Sequence, residues 1–85
     1  MDTGKYIVLK YWVCDMCPVI FPAYLEHSDV VHRLGFELED VDSAGFLDFA
    51  SDKTIQCYGR SSSVGKEAKP ERDSKLCTRL FEESW

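Results

Sequence analysis

Cys14-Asp15-Met16-Cys17 is the segment of this 85-residue chain whose residue types and spacing come nearest to a reactive site. Two thiols with two residues between them open either a zinc knuckle or a dithiol redox pair, and the remaining ligands decide which. A structural zinc ion needs four ligands, so His27, His32, Cys57 or Cys77 would have to complete the set. Cys57 and Cys77 stand in stretches that read as a strand and a helix and make no second knuckle. His27 and His32 are five positions apart and miss the i, i+4 face that paired histidine ligands use. A thioredoxin-like pair opens a helix, whereas Pro18 and the apolar Val19-Ile20-Phe21 follow here. Cys14 and Cys17 are therefore expected as thiols of a turn, with a zinc-stabilised module as the alternative, and no cofactor is expected.

Gly59-Arg60-Ser61-Ser62-Ser63-Val64-Gly65-Lys66 has the composition of a phosphate loop but not its spacing. Five residues separate the glycines where the Walker pattern has four, and Glu67 stands where a hydroxyl should meet magnesium. The expectation is an exposed serine-rich loop from Gly59 to Lys69, with Arg60 able to hold an anion weakly. Glu37, Glu39, Asp40 and Asp42 are closely spaced carboxylates, but alternation about Phe36 and Leu38 puts Glu37 and Glu39 on a solvated face. Acid–base catalysis requires environments that push two pKa values apart, which such a face lacks. Ser61 to Ser63 have no base beside them in sequence. The expectation is a protein that is not an enzyme.

Tyr6 to Val13 is dense in β-branched and aromatic residues and reads as a strand, with Ile7, Leu9, Tyr11 and Val13 facing the core. Tyr6, Val8, Lys10 and Trp12 form a half-apolar opposite face that a helix or a partner must cover. Val19-Ile20-Phe21 makes a second strand that Pro22 closes. Ser28 and Asp29 open a helix carrying Val30, Val31 and Leu34, and Gly35 ends it. Phe36–Glu39, Ala44–Phe49 and Thr54–Tyr58 read as a meander between Asp/Ser-rich turns. Pro70 starts a last helix with Asp73, Leu76, Cys77, Leu80 and Phe81 on one face. The order ββαβββα predicts a single α+β domain over residues 1–85, a mostly antiparallel sheet with its helices packed on one face.

Net charge is −5, and hydrophobic residues make up 45% of the chain, which argues against disorder. From Glu26 to Asp52 eight acids face one basic residue, Arg33, whereas Lys53 to Arg79 carries seven basic residues against three acids. An acidic whole argues against direct nucleic-acid binding, which needs clustered Lys and Arg. No apolar run is long enough to span a membrane, so the expected setting is the cytoplasm.

Ser43-Ala44-Gly45-Phe46, Cys57-Tyr58-Gly59-Arg60-Ser61 and Pro70-Glu71-Arg72-Asp73 resemble segments of a group of small uncharacterised proteins encoded by bacteriophages and bacterial genomes. The likeness covers roughly the second half of the chain and departs between Ser63 and Pro70. It implies a phage or prophage accessory protein and no particular chemistry. Together these readings predict a non-enzymatic interaction module that contacts a host protein through Glu37, Glu39, Asp40, Asp42, Trp12, Tyr58 and Arg60. The alternative reading is an acidic mimic of nucleic-acid phosphates that inhibits a nucleic-acid-binding protein.

Overall fold

Tyr6-Ile7-Val8-Leu9 loads both faces of one strand with apolar side chains, and the architecture follows from covering both. The computed structural model describes residues 3–11, 15–49 and 54–83. In it β1 (Thr3–Tyr11), β2 (Asp15–Pro22), β3 (Val41–Phe49) and β4 (Ile55–Tyr58) form one antiparallel sheet of order β2-β1-β3-β4. Ile7 and Leu9 cluster with Phe21, Val41 and Ala44 against Val30 and Val31 of α1 (His27–Arg33). Tyr6 and Val8 cluster with Leu47, Ile55 and Cys57 against Cys77 of α2 (Pro70–Glu83). The radius of gyration, 11.7 Å, matches the roughly 12 Å of one compact domain of this length.

The α+β class and the antiparallel sheet agree with the sequence reading, but the two helices take opposite faces rather than sharing one. A one-sided arrangement would have left Tyr6 and Val8 in water, and both are fully buried. Among the described side chains of α2 the buried ones are Asp73 and Cys77, with Leu76 half-buried and Leu80 exposed, and the Phe81 side chain lies outside the described residues.

Helix α1 begins at His27, one residue before the predicted Ser28 cap, and Glu26 occupies the cap position without a side-chain bond. Its C-terminus is the expected glycine stop. Gly35 has φ of 83°, Gly35 N–H donates to the His32 carbonyl, and Phe36 N–H donates to that of Val31. That pair of bonds is a Schellman motif, and Phe36 then packs on the Val31 side of the core. Phe36 to Glu39 is not a strand. Leu38–Asp40 forms a 3-10 turn in which the Asp40 carboxylate accepts the Glu37 N–H at 2.9 Å, a local bond that competes with sheet pairing.

The predicted loop from Gly59 to Lys69 is also ordered. Arg60–Ser61 (β5) pairs with Lys66–Glu67 (β6), Val64 between them enters the α1-side core, and Ser61 is buried. The hairpin packs against β3, part of which the short β4 leaves unpaired. Gly45 is required there, because a Cβ would stand 2.5 Å from the Tyr58 carbonyl oxygen and 3.2 Å from the Ala68 methyl.

Both outer strands are protected against pairing with another chain. On β4 the N–H groups of Ile55 and Cys57 donate to Thr78 Oγ1 (3.0 Å) and Ser74 Oγ (2.9 Å). The match is geometric: an i, i+4 step on a helix advances about 6 Å, close to the two-residue repeat of a strand. On the other edge, β2 contains Pro18 and Pro22, which carry no N–H to offer. Removing both hydroxyls with Ser74→Ala and Thr78→Val is expected to accelerate hydrogen exchange at the Ile55 and Cys57 amides and to produce concentration-dependent self-association. Exchange NMR and sedimentation read the two effects.

Candidate interaction surface

A single cross-strand row organises the α1 side of the sheet. Phe21, Lys5, Phe46 and Tyr58 are successive register partners on β2, β1, β3 and β4. His27, at the start of α1, fills the gap above Lys5, with ring centroids 5.4 Å from Phe21 and 5.9 Å from Phe46, both edge-on. Phe46 and Tyr58 stack at 6.0 Å with planes 27° apart. Lys5 Nζ lies 5.9 Å from the Phe46 centroid and donates to the Leu25 carbonyl at 2.9 Å.

The row is buried at the His27 end and opens towards Tyr58, which is 41% exposed. Asp48 lies at that end, and Glu26 lies beside His27. Asp48 Oδ1 accepts from Thr3 Oγ1 at 2.8 Å and from Tyr58 Oη at 3.3 Å, and Glu26 Oε1 lies 4.0 Å from Lys5 Nζ. Tyr24, in the turn before α1, is 84% exposed.

The predicted site residues separate into different environments. Glu37 and Glu39 are exposed on the 3-10 turn that follows α1, and Arg60 is exposed on β5. Asp40 is half-buried and committed to its own turn. Asp42 belongs to a structural ion network, with Lys69 Nζ at 2.9 Å and Arg72 Nη1 at 2.5 Å from its Oδ2. Lys69, and then Arg72, hold its carboxyl below the usual range. Trp12 and Cys14 lie outside the described residues, as does the side chain of Cys17. Among the described residues no three His, Cys, Asp or Glu side chains come together to hold a metal ion.

The network at Asp42 centres on Asp73, a fully buried carboxylate. Its Oδ1 accepts from Arg72 Nε (3.0 Å) and Nη2 (2.8 Å), and its Oδ2 from Tyr6 Oη (2.5 Å) and the Lys69 N–H (2.8 Å). Arg72 Nη2 also donates to Ser43 Oγ at 2.9 Å. Burial, and then the Asp73 carboxylate, push the Tyr6 phenol well up, so it remains a protonated donor. Sequence spacing had placed Asp73 on an apolar helix face. A charged residue at a core position is itself the signal that a partner exists, although not which one.

With this geometry in place, comparison with known proteins returns no matching family model, no similar curated protein and no similar solved structure.

Two outcomes follow from the buried polar groups. Arg72→Met is expected to cost about 3–5 kcal/mol in denaturant unfolding, because it strands a buried carboxylate, whereas Lys69→Met, at an exposed ion pair, should cost less than about 1 kcal/mol. His27 Nε2–H donates to the Gly45 carbonyl at 2.9 Å, and burial, reinforced by nearby Lys5, lowers its pKa from the ordinary 6.5. Above pH 6.5 the ring is neutral in folded and unfolded chains alike. As pH falls below that value the unfolded chain takes up a proton that the folded ring resists, so stability falls. His27→Gln keeps an N–H donor without the titration. It is expected to flatten the dependence of Tm on pH between about 7.5 and about 5.

Proposed function

We propose that this protein is a non-catalytic interaction module whose α1 side docks onto a basic segment of another protein. The observation that carries this is the Phe46–Tyr58 ledge, a stacked aromatic pair whose tyrosine is open to solvent and bonded to Asp48. Its tyrosine is held in place before any partner arrives, so little rotamer freedom is lost on binding. Aromatic faces with carboxylates beside them suit the guanidinium and ammonium groups of Arg and Lys. Further along the strands, Glu37 and Glu39 are exposed acids on the 3-10 turn before Val41, and the exposed Leu34, Leu38 and Tyr24 add apolar contact area.

Phosphate mimicry fits less well, since Asp40 and Asp42 already have partners and leave Glu37 and Glu39 as the exposed acids of that run. The resemblance of the second half to phage-encoded proteins supports a host protein as the partner and the cytoplasm as the setting. No helix among the described residues is long and apolar enough to cross a membrane.

Co-purification from a bacterial lysate, with mass spectrometry, identifies the partner, and titration with that partner tests the surface. Tyr58→Ala should weaken binding by at least about tenfold while leaving the fold intact. Glu37→Gln with Glu39→Gln should slow association and flatten its salt dependence. Parental affinity and rate in both variants across a salt series would place the interface elsewhere.

A further inference from the structure

Cys57 on β4 and Cys77 on α2 bring their sulfurs to 3.8 Å inside the α2-side core, where they are 4% and 0% exposed. Thiols from two elements facing each other in an otherwise apolar cluster have roughly 1.8 Å to close before they reach the disulfide length of about 2.05 Å. The neighbourhood is not sealed. An open groove between β4 and α2 is lined by Ile55, Gln56, Cys57, Ser74, Lys75 and Arg79, so Cys57, though 4% exposed, borders it, whereas Cys77 is fully buried and does not. Two cations, Lys75 and Arg79, and one acid, Glu71, stand along that groove.

We propose that Cys57 and Cys77 are a dithiol–disulfide site, oxidised by a low-molecular-weight disulfide of the glutathione class. The Cys57 thiolate attacks one sulfur of the oxidant, forming a mixed disulfide and releasing the first small thiolate, which takes up the Cys77 proton. The Cys77 sulfur then attacks Cys57 Sγ, the mixed bond breaks, and the second small thiolate leaves and takes up the proton first lost by Cys57. The protein loses two electrons and two hydrogens, and the oxidant becomes two thiols. The contact with Cys57 and burial push the Cys77 thiol up, so Cys57, which borders the groove, is the one that attacks the oxidant. The new bond staples α2 to β4 beside the hydrogen bonds that Ser74 and Thr78 already make to that strand. It therefore rigidifies the helix that closes the sheet.

The test incubates the folded, reduced natural chain with oxidised glutathione, quenches with an alkylating agent and digests with trypsin, which separates residues 11–33, 54–60 and 76–79. The expected product is peptide 54–60 joined to peptide 76–79, about 2 Da lighter than the two reduced peptides together, in a protein whose Tm has risen. Cys77→Ser should stop at the Cys57–glutathione adduct, and Cys57→Ser should leave Cys77 unmodified. Thiols that stay free, a stable glutathione adduct in the natural chain, pairing with residues 11–33, or joining that occurs only in urea would each overturn the proposal.

Discussion

A carboxylate with no contact to water must have every lone pair answered, and Asp73 imposes that requirement on the whole domain. Its four donors come from Tyr6 on the central strand, from Arg72 twice, and from the backbone at the start of its own helix. Arg72 is held in turn by Asp42 and Ser43 on β3. That arrangement depends on an irregularity in the sheet. The register between β1 and β3 shifts between Val8 and Leu9, so Val41 and Ser43 keep strand partners on β1 while Asp42 is the extra residue, free to turn towards the helix. Helix position, strand register and a local bulge are one constraint seen at three places.

The same constraint sets what α2 can do. Residues 73, 74, 77 and 78 all engage the sheet, by side-chain hydrogen bond or core packing. A helix committed on successive turns seals the exposed edge of β4 and buries Tyr6 and Val8, the face for which the sequence demanded a cover. The α1 side is closed by a seven-residue helix, a glycine stop and a small hairpin, and it leaves aromatic and acidic groups in solvent.

The principal elements were legible because local signals agreed: β-branched runs for β1 and β2, Gly35 as a left-handed stop, Pro70 ahead of a periodic helix. Three readings were overturned by interactions between residues far apart or by short-range side-chain bonds. Helix placement turned on whether Tyr6 and Val8 were core, which a strand apolar on both faces leaves open. Phe36 to Glu39 has alternation enough for a strand, but Asp40 folds back on the Glu37 amide. The serine-rich stretch after Gly59 looked like a loop because its one core residue, Val64, sits among polar neighbours. In the candidate surface, Tyr58 was found by residue type alone. Phe46, Asp48 and Glu26 join it only through cross-strand register and through Lys5, and neither exists in linear order.

Charge segregation along the chain does not by itself make a docking surface, and the structure explains which acids remain available. A carboxylate close to a basic side chain in space is neutralised wherever it lies in sequence; Asp42 meets Lys69 and Arg72 from the basic half, and the apparent acidic block loses one member to the core network. Asp40 is lost to a turn. The outward residues of α2, Glu71, Lys75 and Arg79, are long, flexible and of mixed sign, so ordering them on contact costs rotamer entropy and gives no consistent field. Tyr58 differs in both respects, because stacking on Phe46 and the bond to Asp48 fix its orientation in the free protein. Preorganisation, more than the number of acidic residues, is what favours the α1 side for the proposed docking.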